Sequence, residues 1–150
     1  MTDARDASAL EPLIGSWDLA AEFPTGEGAG VPGRTTFEWL LGRAFVLQRV
    51  SVGHPEAPDS HIILAPATLG NAWTQHYFDS RGVVRRYEMT FDGREWALLR
   101  RTADDSPLDF HQRFIGRLSE DGDTIAGQWE ISDDGGAWRT DFRLTYRRAL

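Results

Sequence analysis

The sequence predicts an all-β protein: a single antiparallel up-and-down β-barrel of about ten strands, preceded by one short helical turn and taking up residues 1–150 as one domain. Three observations carry this expectation. Apolar residues recur with period two almost everywhere past Gly15, the period of a half-buried strand. The breaks between the periodic runs are clusters of Gly and Asp, which tight hairpins require. No later stretch supplies a crossover helix, so the strands pair antiparallel.

Taken in order, Asp6 and Ser8 can cap a turn through Ala9, Leu10 and Leu13 that Gly15 stops, a lid or plug for a barrel end. Trp17, Leu19, Ala21 and Phe23 then alternate with Ser16, Asp18, Ala20 and Glu22 in a first strand ended by Pro24. Residues 25–33 are Gly-rich and form a loop, and strands follow over 34–40, 43–51, 60–67 and 72–79. Asp79-Ser80-Arg81-Gly82, Asp92-Gly93, Glu120-Asp121-Gly122-Asp123 and Asp133-Asp134-Gly135-Gly136 each offer the positive-φ residues of a hairpin. Consecutive hairpins make a meander, and closing it into a barrel removes the exposed edges.

Composition excludes several classes of function. The net charge of −7 gives no support to a surface that tracks phosphates, so nucleic acid is not an expected partner. There is no Cys, hence no thiol nucleophile, disulfide or thiolate metal site. All 16 basic residues are Arg, which rules out a Schiff-base lysine and a Walker-type phosphate loop. No apolar run reaches the roughly 20 residues of a membrane helix, and residues 1–11 lack the basic start and apolar core of a signal peptide. A cytoplasmic protein without a membrane partner is expected.

The faces of the late strands point to a site. Val83, Arg85, Tyr87, Met89 and Phe91 share one face, so Arg85 interrupts an apolar row. Trp96 and Leu98 lie with Arg100, Phe110 and Phe114 with Gln112, and Trp138, Phe142, Leu144 and Tyr146 with Thr140. Arginines inside an apolar barrel call for a negative companion, because an unpaired buried charge costs several kcal/mol. Glu38, together with Tyr87, is one candidate; a carboxylate or phosphate on a bound small molecule is the other.

The order of parts, with Gly15-Ser16-Trp17 opening the first strand behind a short helical turn and a meander running to Arg148, resembles the calycin superfamily of lipocalin-like and fatty-acid-binding-protein-like barrels. Within it the chain resembles a bacterial group of lipocalin-like domains sharing the nitrobindin-related fold. The resemblance implies that Trp17 closes the barrel floor under an Arg of the last strand, Arg143 or Arg147, by cation–π stacking. Fatty-acid-binding proteins hold a carboxylate with an Arg-x-Tyr pair, the spacing of Arg85-Arg86-Tyr87, here on a middle rather than the last strand. Nitrobindins hold haem through a His on a late strand, and residues 123–132 and 136–148 contain none.

The expected function is therefore binding of a small, partly apolar, acidic molecule in a cavity lined by Trp39, Tyr87, Trp96, Phe110, Phe114, Trp129 and Trp138, with Arg85, Arg100, Gln112, Glu38 and His76 as its polar groups. No cofactor is implied, and a free barrel end could serve a homodimer. An alternative is a cofactor-free isomerase, cyclase or hydrolase using His76, Tyr87 and Glu38 or Asp141 as acid and base. Another is haem binding through His76. His54, Glu56, Asp59 and His61 supply zinc-type ligands in a Pro-containing loop, but at no defined spacing. Asp104-Asp105 and the acidic turns read as solvated loops, and His111 as outward-facing.

Overall fold

A computed structural model describes residues 7–24, 32–53, 57–67 and 72–149. Ten strands follow a short 3-10 turn, Ser8–Leu13: β1 (Gly15–Glu22), β2 (Pro32–Leu40), β3 (Phe45–Val52), β4 (Ser60–Pro66), β5 (Trp73–Asp79), β6 (Val84–Phe91), β7 (Glu95–Arg100), β8 (His111–Leu118), β9 (Thr124–Ser132) and β10 (Arg139–Arg148). Each pairs antiparallel with the next, and β1 pairs with β10 to close the barrel. The predicted meander is therefore present. Its glycines at 82, 93, 122 and 135 have positive φ in the hairpin turns.

Closure gives the barrel two unlike ends. At the end where β1 starts and β10 stops, the 3-10 turn buries Ala7, Leu10 and Leu13 against Trp17 and Phe37. The turn starts at Ser8 with no side-chain cap; Ala7 fixes it by donating its amide to Arg43 O at 2.7 Å. Asp6, the other predicted cap, lies outside the described residues. The arginine over Trp17 is Arg148, not Arg143 or Arg147, which the strand alternation leaves exposed. Register decides this, because Arg148 is the direct partner of Trp17 across the β1–β10 ladder. Its guanidinium lies 4.1 Å from the Trp17 ring and donates to Ile14 O (2.8 Å), Pro12 O (2.9 Å) and Gly122 O (3.0 Å). Gly15 makes room for it: at φ +127°, any Cβ there would stand 2.9 Å from Arg148 Nη1.

Two irregularities shape the opposite end. β6 and β7 pair only from Glu88↔Leu99 to Phe91↔Trp96, so residues 84–87 have no ladder partner on that side. A bulge in β10 shifts the register between Thr140 and Phe142, which turns Thr140 to the outer face, where its hydroxyl meets Gln128 Nε2 at 3.1 Å. Trp138 goes outward with it.

Replacing Arg148 with Met should loosen the plug by removing its charge-assisted bonds to three backbone carbonyls, those of Pro12, Ile14 and Gly122. We expect a fall of about 4–8 °C in the thermal midpoint, for a loss of about 2 kcal/mol in a chain of this size. Calorimetric melting of the variant checks it.

Candidate functional site

Towards the unplugged end the barrel encloses a cavity of about 630 Å³. Its wall is mostly apolar, with Val50, Ile62, Leu98 and Phe114 among the lining side chains, and its polar groups converge there from the inward phase of each strand. All three tyrosines of the chain line it (Tyr77, Tyr87, Tyr146), as do three of its glutamines (Gln48, Gln75, Gln112). Among the described lining residues Arg85 is the only charged one.

The space is left open by how the aromatic rings pack. Trp96, Phe114 and Tyr146 form edge-to-face contacts at 5.0 to 6.5 Å, and Trp129 lies 5.2 Å from Phe114. Gly116 and Gly127, paired across β8 and β9, form the recess that Phe114 occupies; a Cβ on Gly116 would stand 2.9 Å from the ring, and one on Gly127 closer still.

Arg85 forms no ion pair among the described residues, and its Nε has no hydrogen-bond partner among them. Beside it the Tyr87 hydroxyl donates to Gln112 Oε1 at 2.9 Å, leaving the Gln112 amide hydrogens available. Burial pushes the Tyr87 phenol above its ordinary pKa, against the pull of the Arg85 cation. Tyr77 and Tyr146 are raised as well, again chiefly by burial. Tyr77 donates to Asp79 Oδ2 at 2.8 Å. Burial works to raise the Asp79 carboxyl, but bonds from Arg81, Tyr77 and the amides of Arg81 and Val83 outweigh it and hold it at about 2.

Arg100 does point inward but has its own companion. Nε and Nη2 grip the Asp104 carboxylate at 3.1 and 2.9 Å, and Nη2 also donates to Ser106 O and Pro107 O at 3.0 and 3.2 Å. The pair is buried, with side chains 2% and 4% exposed. The reading of Asp104 as solvated is corrected, as is that of Glu38 as the internal anion. Asp104 also accepts from the amides of Arg86 (2.8 Å) and Ser106 (3.0 Å), while the Ser106 hydroxyl donates to Val84 O at 2.7 Å. The loop after β7 thus takes the place of the missing ladder along residues 84–87 of β6. Arg100 is therefore not one of the described cavity-lining residues; with Asp104 it holds the loop that supports β6.

Other candidates fall elsewhere. Glu38 stands on the outer face, 3.2 Å from Arg49, both half exposed. Trp39 packs beside the core, with Arg43 over its ring at 4.6 Å, outside the cavity lining. The bulge puts Trp138 under Arg113, at 4.2 Å, on the outer face. Phe110 precedes β8 and does not line the cavity. His76 lies on the outer phase of β5, opposite Trp73, Gln75 and Tyr77, paired across the ladder with Arg86. Burial and the Arg86 charge both lower its pKa. The trio of His76, Tyr87 and Glu38 is therefore not assembled, and His76 cannot reach a ligand in the lumen. Of the zinc-type set, His54 and Glu56 lie outside the described residues; Asp59 accepts from the Val52 amide at 3.2 Å, and His61 is exposed on the outer face. No group of three or more metal-ligating side chains occurs among the described residues.

Tyr87, Trp96, Gln112, Phe114, Trp129 and Arg85 do line the cavity. Sequence reasoning missed Gln48, Gln75, Tyr77 and Tyr146 as a set. The signal in β3 is the one used for Arg85: Gln48 interrupts the inward row of Val46 and Val50.

No protein-family model matches the chain, and no curated protein matches it. Among solved structures it is similar to the crystal structure of Rv2717c from M. tuberculosis, at 16% identity and a TM-score of 0.67, covering 100% of this chain and 99% of that one. That likeness shows a shared barrel fold. Among the described residues no helix is long and apolar enough to cross a membrane.

Replacing Arg100 with Leu strands the Asp104 charge and should cost about 3–5 kcal/mol, whereas Arg100→Leu with Asp104→Leu should recover most of it. Arg100 holds the Asp104 carboxyl well below the usual range, so the pair's stabilisation is complete above about pH 4 and fades only as the pH falls further. Urea titrations of the wild type and both variants from neutral pH down to about pH 3 test both statements.

Proposed function

We propose that the protein is a calycin-type container, acting in the cytoplasm, that binds a small, partly apolar molecule by its acidic group inside the barrel. The observation that carries this reading is Arg85. It is a guanidinium on the lumen wall, without a carboxylate in ion-pair reach among the described residues and without an acidic residue in the described cavity lining. A charge held there gains most from an anion that brings its own bonds, and the planar fork suits a carboxylate bidentately. The Gln112 amide, turned by Tyr87, offers a further donor beside it. The rest of the wall suits a hydrocarbon or aromatic body, and the volume falls in the range of small-molecule sites. Arg85-Arg86-Tyr87 also keeps the Arg-x-Tyr spacing by which fatty-acid-binding proteins hold a carboxylate.

The test compares medium-chain and aromatic carboxylic acids with their primary amides, read by quenching of tryptophan fluorescence, since Trp96 and Trp129 line the site. The acids should bind at least about tenfold more tightly than the amides, and Arg85→Met should erase that preference while keeping the fold. Equal binding of acid and amide by the wild type would sink the proposal.

A further inference from the structure

Resting on the reading of Arg85 as the acid site, we infer that the ligand is an aryl or arylacetic acid rather than a fatty acid, its aromatic ring seated beside the carboxylate on a row of rings that begins at Arg85. Tyr77 and Tyr87 flank Arg85: Tyr77 is its direct partner across the β5–β6 ladder, and Tyr87 is two residues further along the same face. From there ring contacts run without a break. Centroids lie 6.4 Å apart for Tyr77 and Tyr87, 5.8 Å for Tyr87 and Trp129, 6.5 Å for Trp129 and Phe142, and 5.1 Å for Phe142 and Phe23. All five side chains line the cavity. Four of them keep exposed surface: Tyr77, Trp129 and Phe142 are half-buried and Phe23 is 37% exposed, while the buried Tyr87 joins Tyr77 to Trp129.

What this row offers is ring surface, not donors. The Tyr77 hydroxyl donates to Asp79 Oδ2 at 2.8 Å and the Tyr87 hydroxyl to Gln112 Oε1 at 2.9 Å, and each has a single proton to give. The acid therefore takes its bonds from Arg85 and the Gln112 amide, and the part of the ligand next to the acid meets rings.

Tyr77 and Tyr87 meet at 78° and Tyr87 and Trp129 at 70°, edge to face, which sets electron-poor edges beside electron-rich faces along the row. An aromatic ring can match such a surface by edge-to-face or offset contact, whereas a saturated ring or alkyl chain of the same area has no quadrupole to match it. The other side of the lumen differs. In the closed order of ten strands β4 stands five places from β9, so Ile62, with Val50 and Val52 of the adjacent β3, lies across from Trp129. A body between them meets aliphatic side chains on one side and rings on the other. A rigid ring carried on the carboxylate, or one carbon from it, also loses less freedom on binding than a chain.

Calorimetric titration of the intact protein tests this, with phenylacetic and naphthoic acids, their ring-saturated counterparts cyclohexylacetic and decahydronaphthoic acids, and the primary amides of all four. Each aromatic acid should bind about three- to tenfold more tightly than its saturated counterpart, although the saturated ring is the more apolar of the two. Trp129→Leu removes the central ring of the row and leaves Arg85 in place, so it should bring that ratio close to one while preserving the preference for acid over amide. Phe142→Leu should also lower the ratio, and if Trp129→Leu fails to fold, this second variant decides. Saturated acids that bind as tightly as the aromatic ones, with acid still preferred over amide, would overturn the aryl class and spare the reading of Arg85; so would a ratio unchanged in the folded variants. An aromatic preference that persists without any preference for acid over amide would overturn the reading of Arg85 and, with it, the placement of the ring beside the acid. Failure of all the acids to bind would overturn both.

Discussion

The cavity depends on one buried ion pair. A closed barrel must satisfy the backbone of every strand, and β6 parts from β7 at its first four residues. Asp104 and Ser106 take over there, one accepting from the Arg86 amide and the other donating to Val84 O, and Arg100 fixes both by its grip on Asp104 and on the loop carbonyls. Burying two charges is expensive, and such a pair is offset only when its remaining polar atoms are met. Here the carboxylate accepts two backbone amides besides the guanidinium, and the guanidinium reaches two carbonyls. The short stretch of β6 supported in this way carries Arg85 and Tyr87.

Packing at the other end makes room for the cavity. The 3-10 turn, Trp17 and Arg148 bury the floor so completely that the apolar demand of ten strands is largely met in that half. Ring contacts then fan upward from Phe37 through Trp96 to Phe114 and Trp129, each close to perpendicular or tilted. The paired glycines 116 and 127 draw Phe114 into the wall. Side chains at those two positions would displace its ring, and overpacking of that kind costs about 1–3 kcal/mol.

Period two and turn chemistry made the barrel readable, because both are local: a face alternates whatever the strand lies against, and a positive φ is needed wherever a hairpin turns. The same alternation found Arg85, Tyr87, Trp96 and Gln112. It misled at Trp138, since the bulge before Phe142 reverses the phase without changing a residue type; the expectation of Arg143 or Arg147 over Trp17 came from the family resemblance, and the cross-strand register set Arg148 there instead. Asp104 was hidden for another reason. A pair of aspartates in a polar loop looks solvated until tertiary structure folds that loop against an unpaired strand edge. Gln48, by contrast, was legible, as a polar residue in an apolar row.

The protonation states of the lumen favour holding over proton transfer. The three lining glutamines do not titrate, and burial raises all three phenols, so none serves as a base near neutrality. The described histidine on β5, with its lowered pKa, is on the wrong face of the wall. The described lining residues include no carboxylate and no imidazole, so under the proposed reading any pH dependence of occupancy would come from the acid of the ligand itself. The described lumen wall thus sets one arginine and several neutral donors and acceptors in a mostly apolar surface, an arrangement that under the proposed reading would discriminate by where a molecule carries its polar groups.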